Sequence, residues 1–398
     1  MPPSILKSPA VPPTICLNLK MLTSKQVKAA LIAGFLFLGS GQALAKEEVR
    51  VLVLEDVKTI TVSVSGDYTI KLLPSQNIFK KGHGLVYLPI AGSKNGILID
   101  GVAVPTRGIR VEPVLDRDLF LNEYQFRGSL DILKNEKDDL AVVNGLDMES
   151  YLYGVLPHEV ASWWPLQALK AQSVAARTYA RYEMSKRKKY DYDLKSDTSS
   201  QVYKGSGREK ERTNRAVNQT AGKVLTYEGK LFPTYFHATC GGQTAAAQEL
   251  WDIELPPLAG GQKCSYCRIS PHFDWKSKLP LAAIEQIMIQ NKRPVGQILG
   301  LEIITQTPSG RAGSIRVKGT TGVFIMAAKD FRIWVGGNNL RSTNFTVSIK
   351  DDEAIFVGKG WGHGVGLCQW GALGQALLGK SYQEILTYYY PGSKIETS

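Results

Sequence analysis

One carboxylate sits where chemistry could use it. Glu159 lies in the stretch Tyr153-Gly154-Val155-Leu156-Pro157-His158-Glu159-Val160, shortly before Trp163 and Trp164. Apolar company disfavours the charged form of a carboxyl and raises its pKa, which is what a general acid at neutral pH requires. Neighbouring tryptophans suit the apolar faces of sugar rings. The bland alternative is a solvated loop glutamate beside two core tryptophans.

A second group is His237-Ala238-Thr239-Cys240 and, 24 residues after Cys240, Cys264-Ser265-Tyr266-Cys267. Two pairs with x₂ spacing match the halves of a tetrahedral Cys₃His zinc site, with His272 as a substitute histidine. Four protein ligands would close the coordination shell and make such a site structural. The alternative is one or two disulfides, which an oxidising compartment permits. Cys368 stands alone and reads as a small buried residue. His363 lies among Gly358, Gly360, Gly362, Gly364 and Gly366, with Gln369 and Trp370 beyond. If that run is extended, one side is bare backbone, open to a ligand or another backbone. His363 then contacts a ligand, tunes an acid, or is structural. Lys170, Arg177 and Arg181 share one helix face and form either a solvated stripe or the wall of an anionic groove.

These groups need elements to hold them. Residues 46–125 are β-rich: Thr59-Ile60-Thr61-Val62-Ser63-Val64 is β-branched, Gly66-Asp67 makes a turn, and 109–114 and 140–143 add strands. The clearest helix spans 164–189. Ala168, Ala171, Ala175, Thr178 and Tyr182 recur at helical spacing and give it a face of small residues, so it is expected to be central, with Glu159 in a turn before it. Further helices are expected at 208–222 and 280–291, a hairpin over 224–237, and strands at 302–306, 314–319 and 345–350. Ser381-x-x-Glu384 is a capping box that opens a last helix. The class is therefore α+β: β-rich flanks around a central Ala-rich helix, with a zinc-binding insertion.

The chain has 398 residues, 43% of them hydrophobic, and a net charge of +12. That composition is globular, and five cysteines are too few for a disulfide-dense scaffold. Residues 21–45 have the layout of a secretory signal peptide: Lys25 and Lys28, an apolar run over 29–38, then Ala43-Leu44-Ala45. Residues 1–20 precede a second methionine and are expected to be an upstream extension of the reading frame. Removing 1–45 takes away four lysines and no acid, which lowers the charge to +8. The expected division is 1–45, 46–125 and 126–398, with an extracytoplasmic mature chain that has no transmembrane helix. A basic chain there points away from nucleic acid and toward anionic envelope polymers.

The motifs carry a resemblance. Leu152-Tyr153-Gly154-Val155 through Glu159, followed by Ala168-Leu169-Lys170-Ala171-Gln172-Ser173-Val174-Ala175-Ala176-Arg177-Thr178-Tyr179-Ala180, resembles the signature of the SpoIID/LytB family of sporulation proteins and amidase enhancers. Asp197-Thr198 with Gln201-Val202-Tyr203, His237 to Thr244 with Trp251, and Gly360 to Ala372 resemble its later blocks, in order. The resemblance implies a lytic transglycosylase that cleaves glycan strands between N-acetylmuramic acid and N-acetylglucosamine after the stem peptides are removed. The family's catalytic glutamate falls on Glu159, and zinc near the His/Cys block agrees with His237, Cys240, Cys264 and Cys267. Gln172, Arg177, His363 and Gln369 are the expected substrate contacts. Cys368 departs from the usual serine, and Val160 from a common methionine. The runner-up is a non-catalytic module that enhances an N-acetylmuramoyl-L-alanine amidase. A zinc-dependent amidase or peptidase is the weakest reading, because there is no His-Glu-x-x-His.

Overall fold

The structure is a computed structural model and describes residues 47–115, 118–197 and 200–397. The expected targeting segment and Thr198 of the second motif block lie outside the described residues.

Alternation builds the first layer. Along Thr59–Leu73, Ile60, Val62 and Val64 are buried while the residues between them are more open, the period of a half-covered strand. Val49 and Val51, Ile109 and Val111, Leu130 and Ile132, and Leu140 and Val142 join the same core. Among the described residues the sheet has eleven strands. Its main path runs Leu194–Lys195, Glu48–Val57, Leu140–Asp147, Ser129–Lys134, Gly108–Pro113, Thr59–Leu73, Ile78–Ser93, Gly96–Ile99 and Val102–Val104. Neighbours on that path are antiparallel, except where Leu194–Lys195 lies parallel to Glu48–Val57. The boundary expected between 125 and 126 does not interrupt this pairing. Ser129–Lys134 and Leu140–Asp147 sit in the middle of the sheet, between strands that precede residue 125.

The chain leaves the sheet into α1 (Met148–Glu159), where Asp147 caps the helix by accepting from the backbone N–H groups of Glu149 and Ser150. Glu159 is thus the last residue of a helix, not part of a turn. After Pro165 comes α2 (Leu166–Lys186), then α3 (Glu211–Gln219). The small face of α2 is buried as expected: Ala168, Ala171, Ala175 and Thr178 are 0–2% exposed. The 224–237 hairpin is shorter than expected. Lys223–Tyr227 pairs with Lys230–Leu231, but Phe236–His237 leaves it to lie parallel to Leu367–Cys368.

Residues 274–359 build a lobe with its own core of Trp275, Ile284, Met288, Ile315, Phe331 and Phe356. It holds two three-stranded sheets, α4 (Leu281–Gln290) and α5 (Ala328–Val335). The glycine run then leads to α6 (Gln369–Leu377) and α7 (Tyr382–Tyr389), the latter opened by the expected Ser381/Glu384 capping box. Helices and an extensive sheet are both present, so the class is α+β. Among the described residues no helix is long and apolar enough to cross a membrane.

Candidate functional site

The last turn of α1 delivers Glu159 to a cleft of about 390 Å³. Its Oε1 accepts a 3.1 Å hydrogen bond from the Val202 N–H, and the nearby Gln369 side chain also favours the charged form. The 201–203 loop that offers this N–H is pinned from below: the Tyr151 hydroxyl donates to Gln201 Oε1, and Gln201 Nε2 donates to the Ala176 carbonyl. Burial pushes the Glu159 pKa above the ordinary carboxylate value, and Val202 and Gln369 only partly oppose it. Glu159 is the one carboxylate among the described residues that line the cleft.

The opposite walls are aromatic. Tyr235 and Trp251 pack with ring centroids 4.4 Å apart, Trp361 lines the cleft beside them, and Trp251 is 39% exposed. These rings, rather than Trp163 and Trp164, present flat apolar faces to a ligand. Trp164 is core, edge-on to Trp370 at 5.5 Å, and Trp163 is exposed away from the cleft lining.

The expected substrate contacts divide. Gln369 and His363 line the cleft. Gln172 does not; it is buried and accepts from Gln369 Nε2 at 3.5 Å, so it orients Gln369. Arg177 is not there either. It is wholly buried in a bidentate pair with Glu149, at 3.0 and 2.6 Å, and also donates to the Lys223 carbonyl. The Lys170/Arg177/Arg181 stripe therefore lines no groove at its centre: Arg181 pairs with Glu47 and Lys170 lies over the Tyr382 ring. His363 has both ring nitrogens engaged. Nε2–H donates to the Phe236 carbonyl at 2.9 Å and Nδ1 accepts from the Val365 N–H at 3.1 Å. Burial and the nearby Arg311 and Arg332 hold its pKa down to about 4, so it is a neutral wall of the cleft.

Gly358 lies in the strand Glu353–Lys359, but beyond that strand the glycine run is not extended. Gly360, Gly362, Gly364 and Gly366 all have positive φ, between 70° and 104°. Close approach was the correct half of the expectation: a Cβ on Gly366 would lie 2.1 Å from the Tyr235 carbonyl oxygen, and one on Gly364 would meet Arg311 at 2.4 Å.

The sulfur cluster also corrects the sequence. Cys240, Cys264 and Cys267 are joined by Cys368, not by His237, and the four sulfurs lie within 4.8 Å of one another. The parallel pairing of His237 with Cys368 brings Cys368 beside Cys240, whose N–H donates to its sulfur at 3.3 Å. His237 instead uses Nδ1 on the Val365 carbonyl at 3.0 Å and lines the cleft. His272 contacts Arg341. All four cysteines are free thiols, and the Cys240–Cys267 separation of 3.5 Å is far longer than a disulfide bond. It is close to the ~3.8 Å between ligands of a tetrahedral ion with ~2.3 Å metal–sulfur bonds. The outer shell suits thiolates: Gly371 N–H points at Cys368 Sγ (3.3 Å), and the Tyr389 hydroxyl lies 3.1 Å from Cys264 Sγ. Arg311 is buried beside them. It donates Nη2 to the Cys240 carbonyl, while Nε and Nη1 have no partner. A buried cation in that position needs negative charge, which metal-bound thiolates supply. The residues present therefore fit a tetrahedral metal ion.

Sequence reasoning missed Arg332 and gave Tyr235 and Trp361 no role. Trp251 and Trp361 lay within motif blocks that could have marked them, whereas nothing in the local spacing marks Arg332.

Known proteins resemble this one. The stage II sporulation protein (SpoIID) family model matches residues 136–227, and a domain of unknown function (DUF8618) matches 265–366. An uncharacterized protein of Brachyspira hyodysenteriae is 34% identical over 89% of this chain and 94% of its own length. An amidase enhancer of Bacillus subtilis is 30% identical over 61% of this chain, which spans only 40% of that protein. Stage II sporulation protein D of Bacillus subtilis is 29% identical over 64% of this chain and 75% of its own.

Proposed function

Because the chain belongs to the SpoIID/LytB family, we propose that it cleaves peptidoglycan glycan strands between N-acetylmuramic acid and N-acetylglucosamine as a lytic transglycosylase, outside the cytoplasm. The observation that carries this reading is the lone, buried carboxyl of Glu159, its pKa raised by burial, in an aromatic-walled cleft.

Glu159 in its acid form donates its proton to the glycosidic oxygen as that bond breaks. The resulting carboxylate then accepts the proton of the muramic acid 6-hydroxyl, whose oxygen bonds to the anomeric carbon. The proton is returned to the enzyme, no water is consumed, and a 1,6-anhydro end results. A second carboxylate, which hydrolytic glycosidases need for a nucleophile or a water, is not required. Val202 and Gln369 hold the Glu159 carboxylate in place through both steps, and Tyr235, Trp251 and Trp361 pack against the sugars. Cys240, Cys264, Cys267 and Cys368 would hold a zinc ion, which would supply a structural cross-link rather than a reactive centre.

The similarity to an amidase enhancer supports a second reading, in which the chain accelerates a separate amidase without cutting glycan itself. Incubating the protein with intact and amidase-treated peptidoglycan, followed by mass spectrometry, separates the two. Anhydro-muramic ends that vanish in Glu159→Gln are the expected result. Absence of products from the protein alone, with faster digestion by an added amidase, would favour the enhancer and overturn the enzyme.

A further inference from the structure

We propose that Arg332 makes one wall of the Glu159 cleft a carboxylate-reading subsite, which takes the lactyl carboxylate of N-acetylmuramic acid in peptide-stripped strands. The inference rests on the glycan-cleavage reading and adds to it the residue that would tell a stripped strand from a peptide-bearing one.

Arg332 comes from α5 of the 274–359 lobe, next to the fully buried Phe331 that anchors the helix in that lobe's core. Its side chain lines the cleft that Glu159 lines. Nη2 donates to the Arg341 carbonyl at 3.0 Å, and Nε is buried without any partner. Among the described residues no carboxylate forms an ion pair with it. Glu159 is engaged by Val202 and Gln369 instead.

The other buried guanidinium groups have counter-charges. Arg177 has Glu149, and Arg311 has Glu249 and the sulfur cluster. Arg332 has only a second cation as its charged neighbour, Arg311, and burial as well as that neighbour disfavours its charge. A guanidinium held in a half-buried cleft without an anion is costly, and a ligand that brings one recovers the cost. The ligand chemistry follows. Releasing a stem peptide converts the lactyl amide of muramic acid into a carboxylate, so a stripped strand carries one anion per disaccharide and a substituted strand carries none at that position. A guanidinium forms charge-assisted hydrogen bonds to a carboxylate that a neutral amide cannot match. The surroundings agree: Arg341 stacks its guanidinium 5.2 Å above the Trp361 ring, which adds a second positive charge beside an aromatic sugar platform.

The test uses the full chain in a Glu159→Gln background, so that ligands are bound and not cut. Calorimetric titration compares a muramic acid-containing tetrasaccharide with free lactyl carboxylates, the same glycan with those groups converted to methylamides, and the same glycan bearing stem peptides. Glu159→Gln is expected to bind the free acid about tenfold more tightly than the methylamide. Adding Arg332→Gln should abolish that preference while leaving methylamide affinity in place, and adding Arg332→Lys should keep part of it. Retained methylamide binding shows that the cleft is still folded. A preference for the acid that survives Arg332→Gln, or equal binding of acid and methylamide by the parent, overturns the subsite alone. An Arg332-dependent preference for the peptide-bearing strand assigns the charge to peptide carboxylates and overturns the lactyl assignment. Binding of none of the three overturns the glycan reading itself.

Discussion

At the scale of single residues, the useful property of Glu159 is a proton held more tightly than an ordinary carboxyl holds its own. Its pKa is raised by burial, so kcat/KM should hold at acid pH and fall as pH climbs through that raised value, because the acid form starts the reaction. Glu159→Gln should lose roughly 10²–10⁴-fold in cleavage. The same shift has a sign for stability. An unfolded glutamate titrates near ~4.3. Between there and the raised native value the folded state holds more protons than the unfolded one, so stability falls as pH rises. Glu159→Gln lacks this loss. It should melt higher than the parent at neutral pH, with the gap closing below about pH 4; a gap independent of pH would contradict the burial argument. Glu159 was legible in the sequence because its apolar neighbours are adjacent in the chain. His363 was not, because its partners, Phe236 and Val365, fix its tautomer through contacts that no spacing reveals. His363→Phe should cost about 2 kcal/mol or more in urea denaturation by stranding a carbonyl and an N–H. It should leave the pH dependence of kcat/KM where it was, since a neutral wall transfers no proton. Movement of that profile would make His363 an acid or base after all.

At the scale of elements, what the sequence revealed depended on whether a local pattern existed. The alternating strands, the small-residue face of α2 and the Ser381/Glu384 cap were readable because each is a short-range signal. Helix α1 was not. Its buried Met148, Tyr151, Leu152 and Val155 do stand at helical spacing, but Gly154 and Leu156 widen the buried face and Pro157 near its end reads as a breaker. The glycine run was misread because alternation suggests a strand, whereas the positive φ values are set by what the segment packs against. That packing makes a graded prediction. Gly364 combines a φ of +90° with a Cβ position 2.4 Å from the buried Arg311, which has nowhere to move. Gly310 has a similar φ of +76° but open space around it. Gly310→Ala should cost about 1 kcal/mol for the left-handed backbone alone. Gly364→Ala should cost at least about 2 kcal/mol more, from the steric conflict. Equal losses in the two denaturation curves would remove Arg311 from the account of why glycine is needed.

At the scale of the whole molecule, the sulfur cluster ties together segments that sequence cannot show to be neighbours. Local x₂ spacing made His237 the natural partner of Cys240, but the parallel pairing of Phe236–His237 with Leu367–Cys368 puts a sulfur from 128 residues further along the chain against Cys240. A metal ion there would join the 240 segment, the turn around Cys264 and Cys267, and the start of α6, closing a loop that contains the whole 274–359 lobe. Cross-links of long loops stabilise chiefly by restricting the unfolded chain, and by more as the loop grows. Removing the ion should therefore lower the melting temperature of the entire unit, not melt one lobe alone, and should also leave Glu249 as the counter-charge of the buried Arg311. Two substitutions decide the ligand set. Cys368→Ser should reduce bound zinc, measured by elemental analysis after exposure to a competing chelator, and lower the Tm by several degrees, corresponding to about 1–2 kcal/mol or more. His237→Gln should keep its zinc, since its ring nitrogens lie outside the cluster. If Cys368→Ser holds a full equivalent while His237→Gln loses it, the Cys₃His set expected from spacing is restored and the four-cysteine centre falls. If neither the parent nor either variant holds metal and the chelator leaves the Tm unmoved, the cluster is a packed group of thiols, and the stability of the unit must come from the cores on either side of it.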